Sequence, residues 1–206
     1  MEKGPSVFAW HRAGKGSMIF TENNLYQLRP LNPQDRDHYM RTVIANSNTP
    51  GMYKMPGFSD YMWETTPQED EQIFCIFEKP SGSYCGFCNV RKSDTTTPEI
   101  GISLLPEYQG KEIGAQALHL LMNTFRIEHP VDYFIARVES SNHHSLRLME
   151  KMGAVLLQFE DSEFKQAMDA LSARMEENDI IAQEGQSSPT NSNYIYTFKL
   201  EEIKTD

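Results

Sequence analysis

Residues 99–125 constrain this chain more than any other stretch. A strand-like run, Glu99-Ile-Gly-Ile-Ser-Leu-Leu105, passes through Pro106 into the turn Tyr108-Gln-Gly-Lys-Glu112. A helical pattern starts at once, with Ile113, Ala117, Leu121 and Phe125 on one face, a spacing that suits packing on a sheet. Strand, glycine turn and helix in direct succession leave the first backbone N–H groups of the helix without partners, aimed past the turn. The helix dipole adds a partial positive charge at the same place. Such a junction accepts an anion, and phosphate or pyrophosphate is the ligand it implies.

The chain has 206 residues, which predicts one domain, alone or with appendages. A hydrophobic share of 39% supplies enough apolar mass for a core. The formal net charge of −10 and the lack of a basic stripe argue against a nucleic-acid partner. The same charge mildly favours a cationic or amine substrate, although solubility alone accounts for it. The apolar run Ser6-Val-Phe-Ala-Trp10 is too short for a secretory signal, and His11 and Arg12 interrupt it. No apolar run reaches membrane-spanning length, so a cytoplasmic protein without a membrane partner is expected. Cys75, Cys85 and Cys88 read as intracellular thiols. Cys85-Gly-Phe-Cys88 has zinc-knuckle spacing, but it sits in a strand and lacks a second ligand pair, so no metal is expected.

The other segments alternate in a consistent way. Residues 17–20 and 25–29 predict short strands around an Asn-Asn turn. Asn32-Pro-Gln-Asp35 is a helix-start signal, and the helix should run over 33–45. Residues 46–57 are broken by Pro50, Gly51, Pro56 and Gly57, and Thr66-Pro67 predicts the start of another short helix. Strands follow at 73–77, 84–90 and 99–105, rich in β-branched and aromatic residues. After the first long helix come a strand at 133–138, a helix at 143–152 closed by Gly153, and a strand at 154–159. Phe164, Met168, Leu171 and Met175 form a helical stripe over 161–177, residues 182–193 read as a mobile polar loop, and 194–200 is a last strand.

Three motifs, in this order, identify a family. Met18-Ile-Phe-Thr through Leu28-Arg-Pro-Leu, followed by Asp35, is similar to the opening strand pair of the GCN5-related N-acetyltransferases. The run from Glu99 to Leu118 resembles their fourth strand, pyrophosphate loop and helix. Val138-Glu-Ser-Ser-Asn142, with Ser145 and Glu150-Lys-Met-Gly153, resembles the step that completes the coenzyme cleft. The chain is most similar to the ribosomal-protein N-terminal acetyltransferase branch. The resemblance implies an α/β (α+β) fold. Its mixed, mostly antiparallel central sheet has about seven strands, with the fourth and fifth splayed, flanked by helices. It implies a single acetyltransferase domain over 18–206, with an N-terminal extension at 1–17 and a helical insertion and mobile loop at about 161–193.

The implied cosubstrate is acetyl-CoA. The family pattern at the turn is Gln or Arg, two variable residues, Gly or Ala, one variable residue, then Gly or Ala. It falls on Gln109, Gly110, Lys111, Glu112, Ile113 and Gly114. Glu112 is the departure, because a carboxylate beside a pyrophosphate is repelled unless it points into solvent. By resemblance, coenzyme contacts fall on Ser103, Leu104, Leu105, on 109–115 including Ala115, and on Asn142. Backbone groups near Leu104 and Leu105 are expected to be free for the pantetheine arm.

Acetyl transfer needs a proton acceptor for the amine and a stabilised leaving thiolate. Glu99 and Glu139 are the candidate bases, each also readable as an ordinary strand-end carboxylate. By resemblance, Asn142 contacts the pantetheine arm, unless it is only a helix cap, and Ser145 lies near the sulfur. Met149 stands where many members carry an acidic tyrosine. Adjacent His143, His144 and Ser145 project in different directions and make no hydrolase pair, and the glycine turn lacks the Walker spacing. The expected reaction is direct transfer to a primary amine, on a protein N-terminus or a small molecule. The alternative is a catalytically weak or inactive acyl-CoA-binding protein of the same fold. The stripe at 161–177 suits packing on the protein's own sheet, a cover over the acceptor end, or a homodimer contact.

Overall fold

The computed structural model describes residues 21–66, 70–161 and 194–201. Two compact units divide the chain, Met1–Val131 and Asp132–Asp206. The class is mixed α and β, with mostly antiparallel strands flanked by helices.

The first unit holds strands β1 (Thr21–Glu22), β2 (Tyr26–Pro30), β3 (Glu71–Glu78), β4 (Tyr84–Arg91) and β5 (Glu99–Leu104). They pair antiparallel in chain order, because tight turns join most of them. Its helices are α1 (Arg36–Ala45), α2 (Phe58–Glu64) and α3 (Ile113–Glu128). Asn32 starts the first helical segment as its sequence context predicts. Its side chain accepts from the Gln34 N–H at 3.0 Å, while Asp35 accepts from the Asn32 N–H at 3.0 Å. Pro33–Asp35 forms a 3₁₀ turn before α1 proper. Buried Asp35 is also gripped by both terminal nitrogens of Arg29, at 2.6 and 3.0 Å.

Helix α2 was not expected from the sequence; its Met62 and Trp63 pack on the core, and the Thr66 hydroxyl, just past its end, donates to the Met62 carbonyl at 2.9 Å. The helix expected to open at Thr66-Pro67 would begin outside the described residues. Residues 67–69 lie outside the described ones, as does the expected strand at 17–20.

Strand alternation gives the first sheet two covered faces. Ile73, Cys75 and Phe87 join Leu31, Tyr39, Met40, Tyr84 and Leu105 in one cluster beside α1 and α2. The alternate residues Phe74, Ile76, Cys88, Val90 and Ile100 are buried too. Helix α3 packs against β1, β2, β4 and β5 and buries the expected Ile113, Ala117, Leu121 and Phe125. Each large side chain so buried contributes about 2 kcal/mol. In β4, Gly86 has φ 151°, and an added Cβ would stand 2.2 Å from the Ser103 carbonyl oxygen. The β3–β4 register shifts beside it, leaving Cys85 unmatched, as in a β-bulge.

The second unit holds β6 (Phe134–Glu139), α4 (His143–Lys151), β7 (Val155–Asp161) and β8 (Tyr194–Leu200). Strand β8 pairs antiparallel with both β6 and β7 and lies between them. Helix α4 ends as predicted. Gly153 takes φ 66°, its N–H donates to the Glu150 carbonyl, and the Ala154 N–H donates to the Met149 carbonyl. Asp161, expected to open a helix, is the last residue of β7. The rest of that helix and the polar loop lie outside the described residues.

The described residues thus hold eight strands where about seven were expected. Cys75, Cys85 and Cys88 are free, buried thiols, and burial pushes all three up, Cys85 to about 11. Among the described residues, no group of three or more His, Cys, Asp or Glu side chains is placed to hold a metal. No helix among them is long and apolar enough to cross a membrane.

Candidate functional site

The turn between β5 and α3 is built by backbone conformation. A 3₁₀ turn, Pro106–Tyr108, follows Leu105, and the Gln109 N–H donates back to the Pro106 carbonyl at 3.2 Å. Gly110 then takes φ 72° and Glu112 φ 63°. Gly110 has open space around its Cβ position, so its conformation, and not crowding, calls for glycine. Glu112 occupies the N-cap of α3 with no side-chain cap bond, and its carbonyl accepts from the Gln116 N–H at 3.2 Å. The N–H groups of Ile113, Gly114 and Ala115 open the helix and have no intrahelical acceptor. All three residues are buried, and their N–H groups are the polar groups the helix start offers an anion.

Glu112 combines two departures at one position. A non-glycine residue with positive φ is uncommon. Its carboxylate sits at the positive end of the 16-residue α3. The residue as a whole is exposed. Lys111 is also exposed, with Nζ 5.6 Å from the centre of the Tyr108 ring.

The end of β5 differs from expectation at its carbonyl. The Leu104 oxygen accepts from Gln109 Nε2 at 3.0 Å and from Asn46 Nδ2 at 3.0 Å. The Leu105 N–H donates to the Cys85 carbonyl at 2.9 Å. Both groups expected to be free are therefore engaged with the protein itself. Side chains that the sequence placed in a turn supply the partners. Ser103 faces β4 through its carbonyl, which lies against Gly86.

Glu99 stands at the opposite end of β5, about 17 Å along the strand from Leu104. It is buried and accepts from Arg91 Nη2 at 2.6 Å, across the β4–β5 pair. Its neighbours on that face are polar. Asn89 lies opposite Gly101 and donates to Glu71. A Cβ on Gly101 would come within 2.4 Å of the Asn89 side-chain oxygen, so the glycine makes room for the amide. Arg91, Asn89 and Glu71 had no sequence signal, since each belongs to an ordinary strand pattern and only the register aligns them.

In the second unit, β6 ends at exposed Glu139. The Asn142 oxygen accepts from the Ser145 N–H at 3.1 Å, so Asn142 caps α4. The cap uses Oδ1 and not Nδ2, the donor of the same side chain. Ser145 is half-buried in the first turn, and Met149 one turn later is buried.

The geometry thus ties Leu104 and Gln109 directly together and places Glu99 apart from them. A family model described as acetyltransferase (GNAT) domain matches residues 26–155, more than half of the chain. Among curated proteins, none matches by sequence. Solved structures share the fold. A ribosomal L7/L12 alpha-N-protein acetyltransferase, RimL, in complex with coenzyme A superposes with TM-score 0.62 at 12% identity, covering 88% of this chain and 96% of that one. A spermidine N-acetyltransferase from Vibrio cholerae, in complex with CoA and spermine, gives 0.59 at 13%, covering 86% and 96%. A probable GNAT-family acetyltransferase from Chromobacterium violaceum gives 0.60 at 16%, covering 97% and 94%. At these identities the likeness is one of fold.

Proposed function

The chain belongs to the acetyltransferase (GNAT) domain family, and from that premise we propose an acetyl-CoA-dependent N-acetyltransferase acting on a primary amine. The observation that carries this reading is the turn at 109–112, where positive φ at Gly110 and Glu112 leads straight into the free N–H groups of α3. The pyrophosphate belongs on those N–H groups, with Gln109 to Ala115 around it. By family resemblance, Ser103, Leu104 and Leu105, and separately Asn142 through the Nδ2 its cap leaves unused, would hold the pantetheine arm. The amine nitrogen attacks the thioester carbonyl carbon, a C–N bond forms and the C–S bond breaks. The amine's proton passes to Glu99 or Glu139, directly or through water, and Ser145 or water protonates the departing thiolate. Glu99 takes that role by leaving part of its pairing with Arg91.

The acceptor is a protein N-terminus or a small amine, the two chemistries carried by the structural neighbours. Homodimer formation and a cytoplasmic site of action belong to the same reading. One observation favours a second reading, a coenzyme-binding protein without turnover. Met149, where many members have an acidic tyrosine, is buried and offers no proton.

Two measurements test the proposal. Acetyl-CoA should raise the melting temperature, and no shift at saturation would count against both readings. Thiol release with a panel of amines should show turnover, and binding without release for every acceptor would favour the second. Gly114→Pro removes one of the helix-start N–H groups and should abolish acetyl-CoA binding. Unchanged affinity would refute the turn assignment.

A further inference from the structure

We propose that Asn46 is a positioning residue for the coenzyme turn, tying it to helix α1 through Gln109 and the Leu104 carbonyl. The inference rests on the acetyl-CoA reading above and adds a residue outside the family pattern. Asn46 follows α1, and its backbone N–H donates to the Thr42 carbonyl at 3.1 Å. Its Nδ2 donates to the Thr42 carbonyl at 2.9 Å and to the Leu104 carbonyl at 3.0 Å. Gln109 Nε2 donates to Asn46 Oδ1 at 3.1 Å and to the Leu104 carbonyl at 3.0 Å.

An amide nitrogen carries two hydrogens and a carbonyl two lone pairs. Both hydrogens of Asn46, both of Gln109 and both lone pairs of Leu104 are therefore used. Losing either amide therefore breaks the link between α1 and the turn. A second tie runs in parallel, with Arg41 Nη2 donating to Glu107 Oε1 at 2.5 Å. Both ties begin on the last turns of α1, which is itself fixed by the capped segment at 32–35 and by buried Tyr39, Met40 and Thr42. The turn they hold contains two residues at positive φ, one of them not glycine. An untethered chain would abandon that conformation for more populated ones. Held in advance, the turn binds an anion without a further loss of freedom.

The experiment measures acetyl-CoA affinity of the full chain by calorimetry for the unaltered protein, Asn46→Ala, Gln109→Ala and the double variant. Each single change should weaken binding about tenfold, and the double change should be no worse than the weaker single one. Asn46→Asp keeps the acceptor for Gln109 but loses both donors, so it should bind as poorly as Asn46→Ala. Asn46 lies at the surface, so melting without coenzyme should barely move, which separates positioning from folding. Equal affinity in Asn46→Ala would overturn the inference alone, as would losses that multiply to about a hundredfold. Failure of the unaltered chain to bind acetyl-CoA would overturn the coenzyme reading and the inference with it.

Discussion

Glu112 concentrates the conflict between local chemistry and ligand chemistry in one residue. Its left-handed backbone costs about 1 kcal/mol relative to glycine. Its charge sits at the helix end where an anion would bind. Glu112→Gly should relieve that strain, a gain of about 1 kcal/mol in denaturant titration less the lost attraction of the carboxylate to the helix end, about 0.3–1 kcal/mol. Acetyl-CoA affinity should stay equal or improve in the same variant, and a large loss would show that the carboxylate assists binding. The sequence exposed Glu112 as the residue that breaks the family pattern. It did not reveal the positive φ, because backbone angles at a turn depend on how both flanking elements are anchored. Asn142 was legible in part. Its capping role follows from local sequence, and the structure adds which atom the cap uses.

At the scale of elements, strands and helices with strong patterns were readable and polar cross-links were not. Helix α3 buries the four residues its spacing selects, and Gly153 closes α4 where the sequence puts a stop. Helix α2 was missed because proline and glycine crowd the residues before it, and only the packing of Met62 and Trp63 on the core fixes it. The Asn46–Leu104 and Asn46–Gln109 bonds join residues 58 and 63 positions apart, which no local pattern records. The close approach of β4 to β5 is another such contact. Gly86→Ala would set a methyl group 2.2 Å from the Ser103 carbonyl, at a φ that side chains avoid. It should destabilise the protein by about 3 kcal/mol, measured by chemical denaturation. A change below 1 kcal/mol, the lower end for overpacking, would mean that the two strands can separate there.

For the whole molecule, the core should be sensitive to alkali. Burial pushes Tyr39 from 10.0 up to about 12, and raises Tyr84 and the three thiols in the same direction. Each group ionises earlier in the unfolded chain than in the folded one. For Tyr39, pH has no effect below about 10, where both states keep the proton. Between about 10 and 12 the unfolded chain releases the proton first, so stability falls by about 1.4 kcal/mol per pH unit. The thiols start the decline from about pH 9. Melting temperature should therefore drop steadily above that pH, and Tyr39→Phe should give a shallower slope above pH 10. An unchanged slope would place the alkaline sensitivity in other groups.

The sealed thiols have one more consequence, for how the protein can be watched. All three cysteines of the chain are buried and held protonated at neutral pH. A chromogenic disulfide reagent added to the native protein should find nothing to react with. Colour that grows with acetyl-CoA and an amine, above the rate seen without them, then counts coenzyme A molecules set free. Colour that grows without substrates counts chains that have opened, three equivalents to each. One reagent therefore keeps two separate clocks, one for turnover and one for the lifetime of the fold.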